Sequence, residues 1–253
     1  MALDEAILAA VGSGQSPPTL RLYGWQPPCL SLGYAQRSTD IDPARLATLG
    51  WSLVRRLSGG RAILHTDELT YSLTLPIDHP LAAGSVVDSY RRLSAALLSA
   101  VQRLGIDAET ARHDPNRHGD FKAICFETPS DYEITAGGKK LIGSAQVRQS
   151  KAILQHGTLP LSGDVARICD GLLLADDAIR EQARHSVRQQ AVTLSDAAGR
   201  AISWDEAAAA VLTAFAEILK VRLTPGALSE AEWTHTEKLR RERYITPEWT
   251  QRR

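Results

Sequence analysis

Two side chains in the middle of the chain have the types that covalent acyl chemistry needs. Residues 123–161, AICFETPSDYEITAGGKKLIGSAQVRQSKAILQHGTLPL, hold one cysteine, Cys125, and a lysine fifteen positions on, Lys140. An ammonium group beside a thiol favours the thiolate, lowering a cysteine pKa from about 8.5 toward neutrality. The thiolate is the form that attacks an acyl group. The same residue types also serve as a small buried thiol and a solvated strand lysine, and spacing alone does not choose between these readings.

A second suggestive stretch is Arg55-Arg56-Leu57-Ser58-Gly59-Gly60-Arg61-Ala62-Ile63-Leu64-His65. Two glycines let backbone approach a ligand closely, with amide groups available to an anion or a carbonyl. Ser-Gly-Gly is also ordinary hairpin chemistry, and the flanking Arg55, Arg56, Arg61 and His65 tilt it toward a site. His113 and His118 lie in a polar, turn-rich stretch without a carboxylate–histidine ligand spacing, so no metal site is expected.

These groups need elements to position them. Tyr132 and Ile134 alternate with Glu133 and Thr135, which is strand periodicity. Gly137-Gly138 suits a tight turn, and residues 139–147 continue as a second, antiparallel strand. Such a hairpin folds Lys140 back toward the segment that holds Cys125. Earlier, Leu3, Ile7, Leu8 and Val11 recur at helical spacing, and strands are predicted at 19–23 and 30–34 around the Pro27-Pro28 turn. Asp42-Pro43 opens a short helix that Gly50 closes, before a strand at 51–56. Leu69, Tyr71, Leu73 and Leu75 alternate along another strand, able to line an acyl tunnel or to fill ordinary core. Ser85 caps a core helix ending at Gly105, in which no chemistry is visible. Helical patterns dominate 164–190, with Arg184 and Arg188 on a solvated face. The spacings Ser203-x-x-Glu206 and Ser229-x-x-Glu232 place helices at 204–220 and 230–243.

The 253 residues suffice for one catalytic domain, expected to span 1–253 with a helical C-terminal segment from about 204. Lys plus Arg equals Asp plus Glu at 29 each, so nothing draws the chain to nucleic acid or a membrane surface. Cys29, Cys125 and Cys169 are odd in number and widely spaced, which fits a reducing cytoplasm rather than a disulfide framework. The opening MALDEAILAAVG shows neither a basic leader nor a long apolar core. A soluble, cytoplasmic monomer is expected.

Taken in order, MALDEAIL, RLYGW, LSLGYAQ, RRLSGGRAILHTDELTYSLTLP, ICFETPSDYEI, GKKLIGSAQVRQ, ILQHGTLPL and YITPEW resemble the catalytic domain shared by lipoate-protein ligases, biotin-protein ligases and octanoyltransferases. The order and spacing are similar to those of the octanoyltransferase branch built like a lipoate ligase. The resemblance implies an α+β fold, with a mixed, largely antiparallel sheet and packed helices, of the class II synthetase-like kind. It implies transfer of octanoate from octanoyl-acyl carrier protein, through a cysteine thioester, to a lysine of a lipoyl-accepting protein, usually the glycine-cleavage H protein, in lipoate biosynthesis. No cofactor is implied. The nucleophile falls on Cys125 and its activator on Lys140, with Lys139 the neighbour to exclude. The acyl-binding surface falls on Arg56, Ser58, Gly59, Gly60, His65, Gly143, Ser144, Ala145, Gln146, His156 and Gly157. Backbone N–H groups near Ser144 or His156 are candidates for the oxyanion, each worth about 3 kcal/mol.

Two departures from the family pattern bear on this. ATP-dependent ligases usually carry three glycines where this chain has Gly59-Gly60-Arg61, which argues against an adenylating site. Relatives also begin about twenty residues earlier, with a strand ahead of the MALDEA helix, so the start lies upstream or the sheet edge, an aggregation hazard when unpaired, is built differently. Four rivals stay open: an ATP-dependent lipoate or biotin ligase, an amidotransferase between lipoyl-domain proteins, a non-catalytic binding module, and a hydrolase pairing Cys125 with His156 or His65.

Overall fold

The computed structural model describes residues 1–111 and 133–252. Cys125, His113, His118 and Tyr132 lie outside the described residues. The first helix, α1 (Ala2–Gly12), buries Ile7, Leu8 and Val11 at their predicted spacing. Asp4 ties it to β1 (Thr19–Tyr23) by pairing with Arg21 and accepting from the Tyr23 hydroxyl at 2.9 Å. The chain then enters β2 (Cys29–Leu32), α2 (Pro43–Leu49) and β3 (Ser52–Arg55). Asp42 caps α2 through two backbone amides, and Gly50 closes it. Next come β4 (Ile63–His65), β5 (Glu68–Pro76) and α3 (Val86–Arg103), whose start carries a Ser85–Asp88 capping box.

Two sheets result. In the larger, β1, β5, β9 (Ala152–Pro160), β8 (Lys139–Gln149), β7 (Ile134–Ala136) and β6 (Ala108–Thr110) lie side by side, every neighbouring pair antiparallel. In the smaller, β2 lies between β3, parallel to it, and β4, antiparallel. The main core packs α3 and α6 (Trp204–Ile218) on the larger sheet through Leu69, Leu73, Leu97, Leu141 and Phe215. A second cluster joins the smaller sheet to α2 and to α4 (Asp177–Gln190). A third seats Ile7, Leu8 and Val11 of α1 on Ala152 and Leu154 of β9.

The C-terminal part is helical but differs in detail from its spacing. The 164–190 stretch divides into a 3-10 turn (Val165–Gly171) and α4. A short α5 (Leu194–Ala198) precedes α6, and α7 (Glu230–Leu239) passes into a π turn (Arg240–Tyr244) before α8 (Pro247–Thr250). Arg184 pairs with Asp170 and Glu181, and Arg188 with Asp164, as expected of a solvated face. Among the described residues no helix is long and apolar enough to cross a membrane.

Candidate active site

The predicted hairpin exists, and it makes an ion pair that the sequence reading missed. Gly137 and Gly138 take φ of 55° and 73°, the left-handed conformations a two-residue turn requires, and join β7 to β8. The fold-back sets Lys140 Nζ 2.5 Å from Glu133 Oε1. Lys140 is only 6% exposed and Glu133 4%. Taking an ammonium out of water is unfavourable unless a counter-charge accompanies it, and Glu133 supplies that charge. Lys139 points elsewhere, its ammonium donating to the Arg188 carbonyl at 2.8 Å.

The Arg56–Ala62 stretch is not a hairpin. Because β2 lies between β3 and β4, the glycine loop crosses over the end of β2 instead of turning back beside its own strand. Arg56 shapes this loop: it is buried and donates to the carbonyls of Ser31, Gly59 and Arg61 at 3.1, 2.9 and 2.7 Å. Arg55, fully buried, faces the other way and gathers the carbonyls of Gly33, Gln36 and Thr250, fastening α8 to the chain beyond β2.

Two histidines are held from behind. His65 Nδ1 lies 2.7 Å from the buried Glu68 carboxylate, which also accepts from the hydroxyls of Thr70 and Thr158. Its Nε2 lies 2.8 Å from Ser31 Oγ, and the Trp25 ring stacks on the imidazole at 4.4 Å. A carboxylate accepts only, so Nδ1 is the donor to Glu68, and Arg56 donates to Ser31 Oγ at 3.2 Å on the other side of the ring. His156 Nε2 meets Ser58 Oγ at 2.5 Å. Burial, helped by the Arg56 guanidinium and opposed by the Asp4 carboxylate, pushes the His156 imidazole down to about 4, so it is uncharged at neutral pH.

These elements surround one cavity of about 500 Å³, inside the range of roughly 300–1,000 Å³ typical of small-molecule sites. Arg56, Gly59, Gly60 and His65 line it from the smaller sheet and its loop. Lys140, Gly143, Ser144, Ala145 and Gln146 line it from β8, and His156 and Gly157 from β9. Ser58 stands behind this lining as the partner of His156.

The structure decides one open reading of the lining and corrects another. Leu69, Leu73 and Leu75 belong to the main core, and the cavity takes Thr70 from the opposite face of β5. In a strand with both faces buried, period-2 alternation does not tell which face meets ligand. The helix α3, read as core alone, contributes Val86, Val87 and Tyr90. Val86 and Val87 are 48% and 42% exposed, an apolar pair at the helix start where the pattern toward the core has not yet begun. Glu133 could have been found from its place across the Gly-Gly turn from Lys140. The other cysteines carry free thiols and are buried; burial pushes Cys29 up to about 12, which removes it as a nucleophile.

The chain is similar to known proteins along nearly its whole length. The model of the lipoyl protein ligase A/B catalytic domain matches residues 1–216. The octanoyltransferase LipM of Kyrpidia tusciae is 42% identical over all of this chain and 94% of its own length. That of Exiguobacterium sibiricum is 39% identical with the same coverage, 100% and 94%. Among solved structures, the bipartite lipoate protein ligase of Thermoplasma acidophilum matches 99% of this chain and 89% of its own, with a TM-score of 0.81 at 24% identity, a likeness of fold. Lipoate-protein ligase A matches 99% and 92%, with a TM-score of 0.80 at 25% identity. With a family model spanning most of its length and full-length octanoyltransferase relatives, the chain belongs to the lipoyl protein ligase A/B catalytic domain family.

Proposed function

We propose that this octanoyltransferase works through a thioester on Cys125, taking octanoate from octanoyl-acyl carrier protein and giving it to a lysine of a lipoyl-accepting protein, the glycine-cleavage H protein being the expected acceptor. Octanoyltransferase activity rests on the relatives at 39–42% identity across the whole chain. The observation that carries the rest is a buried Lys140–Glu133 pair facing a cavity that Val86, Val87 and Tyr90 also line.

In the first step the Cys125 thiolate attacks the carrier thioester carbonyl. A C–S bond to Cys125 forms, the C–S bond to the carrier breaks, and the carrier leaves as a thiolate that takes a proton. One thioester replaces another at little net change in free energy. In the second step the substrate amine, having lost one proton to solvent, attacks the acyl-enzyme. The C–N bond forms, the C–S bond breaks, and the amine's second proton departs with the collapse. Cys125 returns to the thiolate that Lys140 favours. The sum converts a thioester and an ammonium into an amide, a carrier thiol and one proton, and needs no ATP. The whole chain acts as one catalytic domain in this reading, in the cytoplasm and as a monomer.

Intact-protein mass spectrometry tests it. The enzyme is mixed with octanoyl-acyl carrier protein without ATP, and an apo lipoyl-accepting protein is then added. Octanoate on Cys125, then on the acceptor, with neither seen for Cys125→Ala, is the expected result. An adduct that forms only with ATP and free octanoate would assign the chain to the ligases, and free octanoate as sole product would make it a hydrolase.

A further inference from the structure

A line of side-chain hydrogen bonds runs from the outer end of β8 to the cavity, and a residue that can only donate sets its direction. Arg148 Nε donates to Gln146 Oε1 at 3.3 Å, and Ser89 Oγ lies 3.1 Å from the same oxygen. A guanidinium has no acceptor, so the Gln146 amide turns its oxygen outward and its nitrogen inward. Gln146 Nε2 then donates to Gln155 Oε1 at 3.0 Å, which turns the Gln155 nitrogen toward Tyr71. Gln155 Nε2 donates to the Tyr71 oxygen at 3.1 Å, and the Tyr71 hydroxyl donates its one hydrogen bond to Ser144 Oγ at 2.7 Å. Tyr71 and Gln155 are both fully buried. Burial, with the neighbouring Tyr90, raises the Tyr71 phenol well above its ordinary value, so it keeps the proton it donates.

At the inner end the sense of the line has a chemical result. Ser144 Oγ is already an acceptor, so its own proton is left to point elsewhere, and Ser144 lines the cavity. It adjoins Gly143, where an added Cβ would lie 3.6 Å from Lys140 Cε. We propose that the Ser144 hydroxyl is a catalytic donor to the acyl carbonyl oxygen and to the oxyanion of each tetrahedral intermediate, and that Tyr71, Gln155, Gln146 and Arg148 position it by fixing which way every amide and hydroxyl points. No proton leaves Ser144 in this role; the O–H bond stays intact while charge develops on the acyl oxygen and recedes as the intermediate collapses. A donor preset in this way needs no reorientation when the charge appears. The inference rests on the acyl-transfer reading of the cavity and deepens it.

The line can be reversed without changing its shape. Gln146→Glu replaces the inward nitrogen by oxygen, so Gln155 must turn its nitrogen toward residue 146 and its oxygen toward Tyr71. Tyr71 then donates to Gln155, and the Ser144 proton is drawn to the Tyr71 oxygen and away from the acyl group. Tyr71→Phe removes the donor to Ser144 and leaves that hydroxyl free to rotate.

The test is single-turnover transfer from octanoyl-acyl carrier protein to the enzyme and on to an apo lipoyl-accepting protein, followed by mass. Ser144→Ala is expected to lower the rate constant about 100-fold with half-saturation by the donor unchanged, the size found when one oxyanion donor is lost. Gln146→Glu and Tyr71→Phe are each expected to lower it about tenfold alone and to have almost no further effect in the Ser144→Ala background, the non-additivity of residues acting through one group. Full-rate transfer by Ser144→Ala overturns the proposal. So does an equal loss from Gln146→Glu in both backgrounds, which would make the line a purely structural device. Should Ser144→Ala fold poorly, the isosteric Gln146→Glu variant decides by itself, since retained full rate there also overturns it. Failure of the underlying reading has a separate sign, transfer that persists in Cys125→Ala.

Discussion

Replacing Glu133 with Leu should destabilise the protein strongly, and replacing Lys140 with Met at the same time should restore it without restoring activity. Both side chains of the pair are nearly inaccessible, at 4% and 6% exposure. An exposed ion pair is worth about 0–1 kcal/mol, whereas removing one member of a buried pair leaves an uncompensated charge and costs about 3–5 kcal/mol. Replacing both members by apolar groups of similar volume removes the desolvation term together with the attraction, and is neutral or stabilising by up to about 1–4 kcal/mol. With a urea slope of about 3 kcal/mol/M, the single variant's midpoint falls by about 1–2 M and the double variant's returns to or exceeds that of the parent. Equilibrium urea unfolding of the four proteins in the cycle, beside octanoyl loading of Cys125 by mass spectrometry, measures both quantities. The double variant should fold and fail to load at neutral pH. A Glu133→Leu midpoint close to that of the parent would show the pair to be solvated, and the account of Glu133 as the buried counter-charge of Lys140 would fall with it.

Two further expectations concern β8 and β9. At Gly157 an added Cβ would stand 2.4 Å from the Gly143 carbonyl oxygen and 2.7 Å from Tyr71 Cε1, so Gly157→Ala should destabilise by about 1–3 kcal/mol through overpacking. At Gly143 the nearest atom is Lys140 Cε at 3.6 Å, so Gly143→Ala should keep the parent's melting temperature while its methyl, projecting into the cavity, slows octanoyl transfer; the reverse ranking of the two melting temperatures would sink this steric reading. His156 makes stability depend on pH. Its imidazole is held down from 6.5 to about 4 by burial, so between those values the unfolded chain binds a proton that the folded chain does not. Stability is therefore full above about pH 6.5 and declines as pH falls toward 4, by about 3 kcal/mol. His156→Gln should flatten unfolding free energy across that window, and a parallel decline in both proteins would refute the assignment.

Much of this protein was legible before its structure. Local rules act over a few residues, so Asp42-Pro43 and Ser229-x-x-Glu232 announced their helices, and Gly137-Gly138 its turn. The eight ordered motifs carried the family, and with it the expectation of Cys125 and Lys140. Composition and alternation could not supply contacts between segments distant in the chain. The Ser-Gly-Gly stretch reads equally as a hairpin or a ligand loop, and only the insertion of β2 between β3 and β4 made it a crossover. The period-2 pattern of Leu69, Leu73 and Leu75 is the same whether that face meets core or cavity; α3 and α6 packed on it decided for core. The direction of the line from Arg148 to Ser144 is likewise invisible in sequence. It exists only where β5, β8 and β9 lie in register and a guanidinium that cannot accept stands at one end.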